Sequence, residues 1–174
     1  MNLDFWKNRK VFITGNTGFK GSWLSLILLK LNCDIVGYSF DPPTKPSLFN
    51  ETKLNKKFIT YFADVRNFEK LYECINSTKP DIIIHCAAQS LVYCGYENPL
   101  ETYSTNVMGT ANVLEALRKV NFKCILINVT SDKCYLNKEE EISFVETDPM
   151  GGKDPYSSSK GCSEIISNSY IESF

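Results

Sequence analysis

The sequence has 174 residues, 43% of them hydrophobic, enough to form one large domain with a core between a sheet and its helices. Its 19 lysines and arginines are scattered among 20 acidic residues, and the formal charge of -1 offers no basic stripe to a polyanionic backbone, which excludes nucleic acid as an expected partner. The first ten residues carry charge and no apolar run, and no segment is long enough to span a bilayer, so neither a signal peptide nor a membrane partner is expected.

Val11 to Ile13 form a short buried strand, and the run from Trp23 through Leu31 is a helix behind a glycine turn. Ile35 to Ser39 read as a second strand, closed by Asp41-Pro42-Pro43, and Pro46 to about Lys57 as a loop. A third strand spans Phe58 to Ala63. Phe68, Leu71, Tyr72 and Ile75 then fall at the spacing of an amphipathic helix. Asp81 to His85, with three successive isoleucines, read as a strand buried on both faces, as a parallel sheet requires. Leu100 to Leu117 mark a long helix starting near Pro99, Cys124 to Val129 a fifth strand, and a last helix begins near Pro155. The alternation predicts one α/β domain over 1–174, a doubly wound parallel sheet of the NAD(P)-binding Rossmann type.

The seven cysteines contain no Cys-x-x-Cys pair and His85 is the single histidine, which argues against a metal site. Several cysteines sit in apolar strand runs as small hydrophobes, which suits a reducing cytoplasm. His85 is expected in the core.

Between the first strand and helix, Gly15, Gly18 and Gly21 recur every third residue in Gly15-Asn16-Thr17-Gly18-Phe19-Lys20-Gly21. Such a triplet is weak evidence alone. Placed between a strand and a helix, it lets bare backbone approach a pyrophosphate that the helix N-terminus then faces, so Gly15, Thr17, Gly18, Phe19, Lys20 and Gly21 are read as the dinucleotide cradle. Asp41, about twenty residues on, either accepts from the adenosine ribose 2′-hydroxyl, favouring NAD over NADP, or simply opens the turn before two prolines. Asp64, with Val65 beside it, either bonds the adenine amino group or caps the next helix.

Tyr156 and Lys160 lie four apart on the last helix and share a face, where an adjacent ammonium lowers a phenol's pKa and suits it to act as a general base. Ser131 stands at the end of the fifth strand, where ligands gather in open α/β sheets. With the glycine turn, Ser131, Tyr156 and Lys160 in this order, the chain resembles the extended short-chain dehydrogenase/reductases, the NAD-dependent sugar epimerases and dehydratases. The runs Thr17 to Leu24, Asp41 to Thr44, Tyr96 to Pro99, Ser131 to Tyr135 and Asp148 to Gly152 are similar to those of CDP-glucose 4,6-dehydratases in particular.

That resemblance implies a nucleotide-sugar substrate, bound NAD and a redox-neutral reaction. Tyr156 removes the 4-hydroxyl proton as hydride leaves C4, water is lost across C5 and C6, and the hydride returns to C6. It also implies that Lys160 reaches the nicotinamide ribose, that Ser131 bonds the reacting hydroxyl and that Asp132 protonates the departing C6 hydroxyl. Lys133 takes the place where related dTDP-glucose dehydratases carry a glutamate base, and serves either as a buried neutral amine or as a charged stabiliser of the enolate. For Asp132 and Lys133 a plain solvated turn is the alternative. Ala87 and Ala88 match a position where small residues let the cofactor lie on the backbone, and Asn106 one where a helix Asn supports an active-site water. Around Tyr93 and Cys94 the basic residues associated with the family are missing.

The chain ends at Phe174, inside the helix that carries Tyr156, before the last strand and substrate lobe that the resemblance implies. Negligible turnover by this chain alone is therefore expected, as is pairing of two or more copies through the helices at 99–120 and 155–174. A catalytically silent NAD-binding module and a 4-epimerase or reductase are the competing readings.

Overall fold

The computed structural model describes residues 3–139, 141 and 143–174. After a 3-10 turn at Leu3–Trp6 the chain alternates: β1 Lys10–Thr14, α1 Phe19–Lys30, β2 Asp34–Ser39, α2 Leu48–Glu51, β3 Ile59–Phe62, α3 Phe68–Thr78, β4 Ile82–His85, α4 Val92–Glu97, α5 Pro99–Tyr103, α6 Gly109–Lys119, β5 Ile125–Asn128 and α7 Pro155–Ser173. The five strands form one parallel sheet in the order β3-β2-β1-β4-β5. The strand order reverses at β1, between β2 and β4, and this opens a crevice beyond the carboxyl ends of those strands.

Alternation along β1 sends residues to opposite faces of the sheet. Phe12 joins Val36, Leu71, Ile75, Ile83 and Val113 under α3 and α6, while Val11 and Ile13 join Leu28, Ile35, Ile82 and Ile84 under α1. β4, buried along its whole length, serves both layers, which accounts for its unbroken isoleucine run.

Three expectations need correction. The stretch from Pro46 to Lys57 is not a plain loop: Ser47 accepts a hydrogen bond from the Asn50 amide to start α2, and Leu54–Lys56 form a 3-10 turn. Burial of Phe49 and Leu54 holds these turns down, a tertiary gain that the flanking prolines conceal. α1 starts at Phe19 rather than Trp23, so the second half of the glycine motif belongs to the helix. The long helix after Pro99 runs as α5 and α6 joined by a π-helical segment, Ser104–Met108, and is preceded by the unanticipated α4. No helix among the described residues is long and apolar enough to cross a membrane.

Candidate functional site

The glycine turn is pinned on three sides. Gly15 takes φ +73°, and a Cβ there would lie 2.7 Å from the Ala87 nitrogen, so the turn rests directly on the backbone leaving β4. Its N–H donates to the Tyr38 carbonyl at 2.9 Å. Thr17, nearly fully buried, donates from Oγ1 to the Phe40 carbonyl at 2.9 Å and meets Ser39 Oγ at 2.7 Å, tying the turn to the end of β2. With its hydroxyl engaged there, Thr17 presents only backbone to a ligand.

Gly18 differs from its neighbours. A Cβ on Gly21 would lie 2.2 Å from the Gly15 carbonyl oxygen, whereas one on Gly18 would meet only that same oxygen at 3.4 Å. Packing therefore explains glycine at 21 and does not explain it at 18. Gly18 also N-caps α1 without any side-chain cap, so the amides of Phe19 and Lys20 open the helix toward solvent. An open α-carbon beside uncapped amides fits a bound diphosphate.

Asn16, which the sequence did not single out, is fully buried: its amide nitrogen donates to Thr60 Oγ1 at 3.0 Å, and its Oδ1 has no partner. The amide lies so close over Gly37 that a Cβ there would fall 2.5 Å from it. Asp41 stands exposed just past β2. Both Asp64 oxygens are engaged by Arg66, through the backbone amide at 2.8 Å and the guanidinium at 2.8 and 2.6 Å. Burial pushes the Asp64 carboxyl up, but the Arg66 hydrogen bonds outweigh it and hold the group below the usual carboxylate range. The cap of α3 is Asn67, which accepts from Lys70 N, so the capping alternative for Asp64 falls away. Val65 packs its side chain against Gly109 of α6 and is a core residue.

β4 delivers His85, Cys86, Ala87 and Ala88 to the crevice. His85 is buried between Thr14 Oγ1, 2.7 Å from Nδ1, and Thr110 Oγ1, 3.2 Å from Nε2. Thr14 Oγ1 accepts from Ala87 N and Thr110 Oγ1 donates to the Asn106 carbonyl, a pattern met by neutral His85 with its proton on Nε2. Burial, and after it the charge of Lys160, lowers its pKa to about 3.

Asn106, in the π-helical segment, clips the loop after β4 to α7. Its Oδ1 accepts from Gln89 N at 2.8 Å, and its Nδ2 donates to Gln89 O at 3.0 Å and Ser159 Oγ at 2.8 Å. These three bonds make Asn106 a positioning residue between that loop and α7.

Beyond β5, Ser131 caps a 3-10 turn at Asp132–Cys134, accepting from Lys133 N at 3.2 Å and donating to Asp132 Oδ1 at 3.0 Å. Asp132 and Lys133 are exposed and line a cavity with Tyr135, Gly152 and Asp154. Asp154 caps α7 by accepting from Ser157 N at 2.9 Å. Burial pushes its carboxyl up, while the Ser157 bonds and, more weakly, Lys133 bring it below the ordinary range.

Tyr156 sits in the first turn of α7, where Gly95 of α4 lies against its backbone. One turn on, Lys160 is only 7% exposed and donates from Nζ to the Val129 carbonyl at 3.2 Å. Burial lowers its pKa. Gly161 packs against the Cys134 carbonyl, so the start of α7 and the turn carrying Ser131 and Asp132 form one unit. The structure thus gathers Ser131, Tyr156 and Lys160 on two abutting elements at the carboxyl edge of the sheet.

Residues 12–174 match the family model described as GDP-mannose 4,6 dehydratase. The chain is 50% identical over 174 residues to CDP-glucose 4,6-dehydratase of Salmonella typhimurium, covering 100% of this chain and 48% of that protein. It is 28% identical to GDP-mannose 4,6-dehydratase of Yersinia enterocolitica, over 95% of this chain and 46% of that one. Among solved structures it is similar to dTDP-glucose 4,6-dehydratase of Bacillus anthracis in complex with NAD, with TM-score 0.78, 25% identity, and coverage of 95% of this chain and 51% of that one. UDP-glucose 4-epimerase of Thermus thermophilus in complex with NAD gives TM-score 0.79 at 25% identity, over 95% and 51% of the two chains. The chain spans about half the length of the curated relatives it matches.

Proposed function

The chain belongs to the GDP-mannose 4,6 dehydratase family, and on that premise we propose that it supplies the NAD-binding and proton-transfer residues of a CDP-glucose 4,6-dehydratase, which converts CDP-glucose to CDP-4-keto-6-deoxyglucose and water. The observation that carries this reading is the buried Lys160 ammonium, held by Val129 at the carboxyl edge of the sheet one helical turn from Tyr156.

NAD, when bound, provides an acceptor and later a donor for the hydrogen of sugar C4. The open flank of Gly18 and the uncapped amides of α1 receive its diphosphate, while Ala87 and Ala88 keep the floor of the crevice free of bulk. Asp41 is well placed along the chain to meet the adenosine ribose, and Asp64, clamped by Arg66, borders the adenine end.

The chemistry of this chain is proton handling. Tyr156 takes the proton of the sugar 4-hydroxyl, and the ammonium of Lys160 stabilises the phenolate that does so. Ser131 turns its hydroxyl from Asp132 toward the same oxygen. The 4-ketone acidifies C5; its proton passes to Lys133 acting as an amine base while Asp132 protonates the C6 hydroxyl that departs as water, and the proton on Lys133 returns to C5 when C6 is reduced. Asp154 and Asn106 take no proton: the first fixes the start of α7, the second its distance from the loop after β4.

The test is a chimera in which this chain replaces the matching half of the Salmonella typhimurium enzyme. It should form a 4-keto-6-deoxy product from CDP-glucose, and Tyr156→Phe should lower kcat by about 10²–10⁴-fold with the fold intact. A chimera that binds NAD yet forms no product would overturn the assignment. Asp132→Asn separates dehydratase from 4-epimerase chemistry, since only a dehydratase loses product while retaining oxidation at C4.

A further inference from the structure

α7 is held along two flanks. On one, Asn106 donates from Nδ2 to Ser159 Oγ, and its carbonyl accepts from Ser163 Oγ at 3.1 Å. On the other, three side chains grip the exit of β5. Lys160 Nζ donates to the Val129 carbonyl at 3.2 Å, Glu164 Oε1 accepts from the Thr130 hydroxyl, and Ser167 Oγ accepts from Asn128 Nδ2 at 3.0 Å. Lys160, Glu164 and Ser167 follow one another at the four- and three-residue steps of a single helix face.

Of these three, Glu164 is the ionisable group that the proton handling above does not use. It is half-buried, one turn beyond Lys160. Its partner Thr130 directly follows Val129, the partner of Lys160, and directly precedes Ser131. Carboxylate and ammonium are therefore anchored to adjacent residues of the chain. The remaining groups around Lys160 bring little negative charge to it. His85 of β4 is neutral, Lys20 of α1 is a cation, Tyr156 lies one turn back on α7, and Asp132 on the turn after β5 accepts from Ser131. Burial, more than Lys160 and Lys20 can offset, holds the Cys86 thiol above its usual range, so it is uncharged at neutral pH. Burial lowers the pKa of Lys160 in turn; Cys86 opposes this when ionised, Lys20 adds to it, and Glu164 opposes it. With the thiol uncharged, the opposing charge is that of Glu164.

We propose that Glu164 is a positioning residue of this site: held by the Thr130 hydroxyl, it fixes the rotation of α7 on the exit of β5 and keeps the Lys160 ammonium on the Val129 carbonyl, one turn from Tyr156. The inference rests on the reading of Lys160 as the cation that stabilises the Tyr156 phenolate. A carboxylate beside a buried ammonium offsets part of what the ammonium loses on leaving water. Without that charge Lys160 releases its proton at lower pH, and a neutral amine no longer steadies the phenolate. Glu164→Gln keeps an oxygen for Thr130 and removes the charge. Thr130→Val keeps the charge and removes the hydroxyl that holds it beside Lys160, so the carboxylate turns to water.

The experiment follows the titration of Lys160 by NMR of its Nζ and Cε in the 174-residue chain and in both variants, the signal assigned with Lys160→Arg and the fold of each verified by thermal unfolding. In Glu164→Gln the midpoint should fall by about half to one pH unit, a three- to tenfold loss of proton affinity, the size expected of one partly screened charge. Thr130→Val should move it the same way by less, and serves in place of Glu164→Gln should that variant not fold. A midpoint unmoved in the folded variants would overturn the inference. In the chimera described above, Glu164→Gln should shift the alkaline limit of kcat downward by the same amount. A chimera without product beside a shifted Lys160 would sink the functional reading and leave the placement of Glu164 standing.

Discussion

Gly18 and Gly21 occupy equivalent places in the repeat, yet the structure assigns them different physical reasons, and alanine at each separates the two. At Gly21 the new methyl would lie 2.2 Å from the Gly15 carbonyl oxygen and 2.8 Å from Asn16 Cα, all backbone, so no flexible side chain can give way. Overpacking of this kind costs about 2–3 kcal/mol, and the better helix propensity of alanine returns about 1, leaving a net loss of about 1–2 kcal/mol. For a domain of this size that lowers Tm by about 2–8 °C. At Gly18 the φ of -73° is ordinary for any residue and the nearest atom is 3.4 Å away, so Gly18→Ala should keep Tm within about 2 °C. Its methyl would instead enter the space assigned to the diphosphate, and affinity for NAD should drop by about tenfold or more. Calorimetric unfolding and NAD titration of both variants make the comparison. If Gly18→Ala binds NAD as the unaltered chain does, the cradle reading is wrong; if Gly21→Ala is as stable as the parent, the steric reasoning is.

His85 should impose a measurable pH slope on stability. Its folded pKa, depressed to about 3, lies below the unfolded value of about 6.5, so the stability it contributes is present above pH ~6.5 and is lost as pH falls toward 3, by at most about 1.4 kcal/mol per unit. Because it is the only histidine, the unfolding free energy of the parent minus that of His85→Asn should drop by about 1 kcal/mol between pH 6 and 5 in urea titrations; a constant difference would contradict the assignment. Asn106→Leu should cost about 2–4 kcal/mol by stranding the Gln89 amide and carbonyl and removing the donor to the Ser159 oxygen, with faster amide exchange at Gln89. An unchanged Tm in that variant would show that the clip carries no stability.

What could be read along the chain was whatever depends on near neighbours. The isoleucine run at 82–84, the periodic stripe of Phe68, Leu71 and Ile75, and glycines before a helix report local geometry and burial, and these placed β4, α3 and the turn correctly. The parallel, doubly wound sheet followed from the same alternation, because right-handed crossovers leave few topologies, while the strand order itself came from the structure. α2 and α4 escaped because short helices with little periodicity are held by packing, as Phe49 and Gly95 show. Much of the site was hidden for a related reason. Asn16 reaching Thr60, Asn106 bridging Gln89 to Ser159, and Lys160 reaching the Val129 carbonyl each join residues far apart in the chain. Residue type and spacing nominated the chemical groups of this protein; only the folded sheet edge, by bringing β1, β4, β5 and α7 together, decided which of them meet, because hydrogen bonds and charges act through space and leave no local period in the sequence.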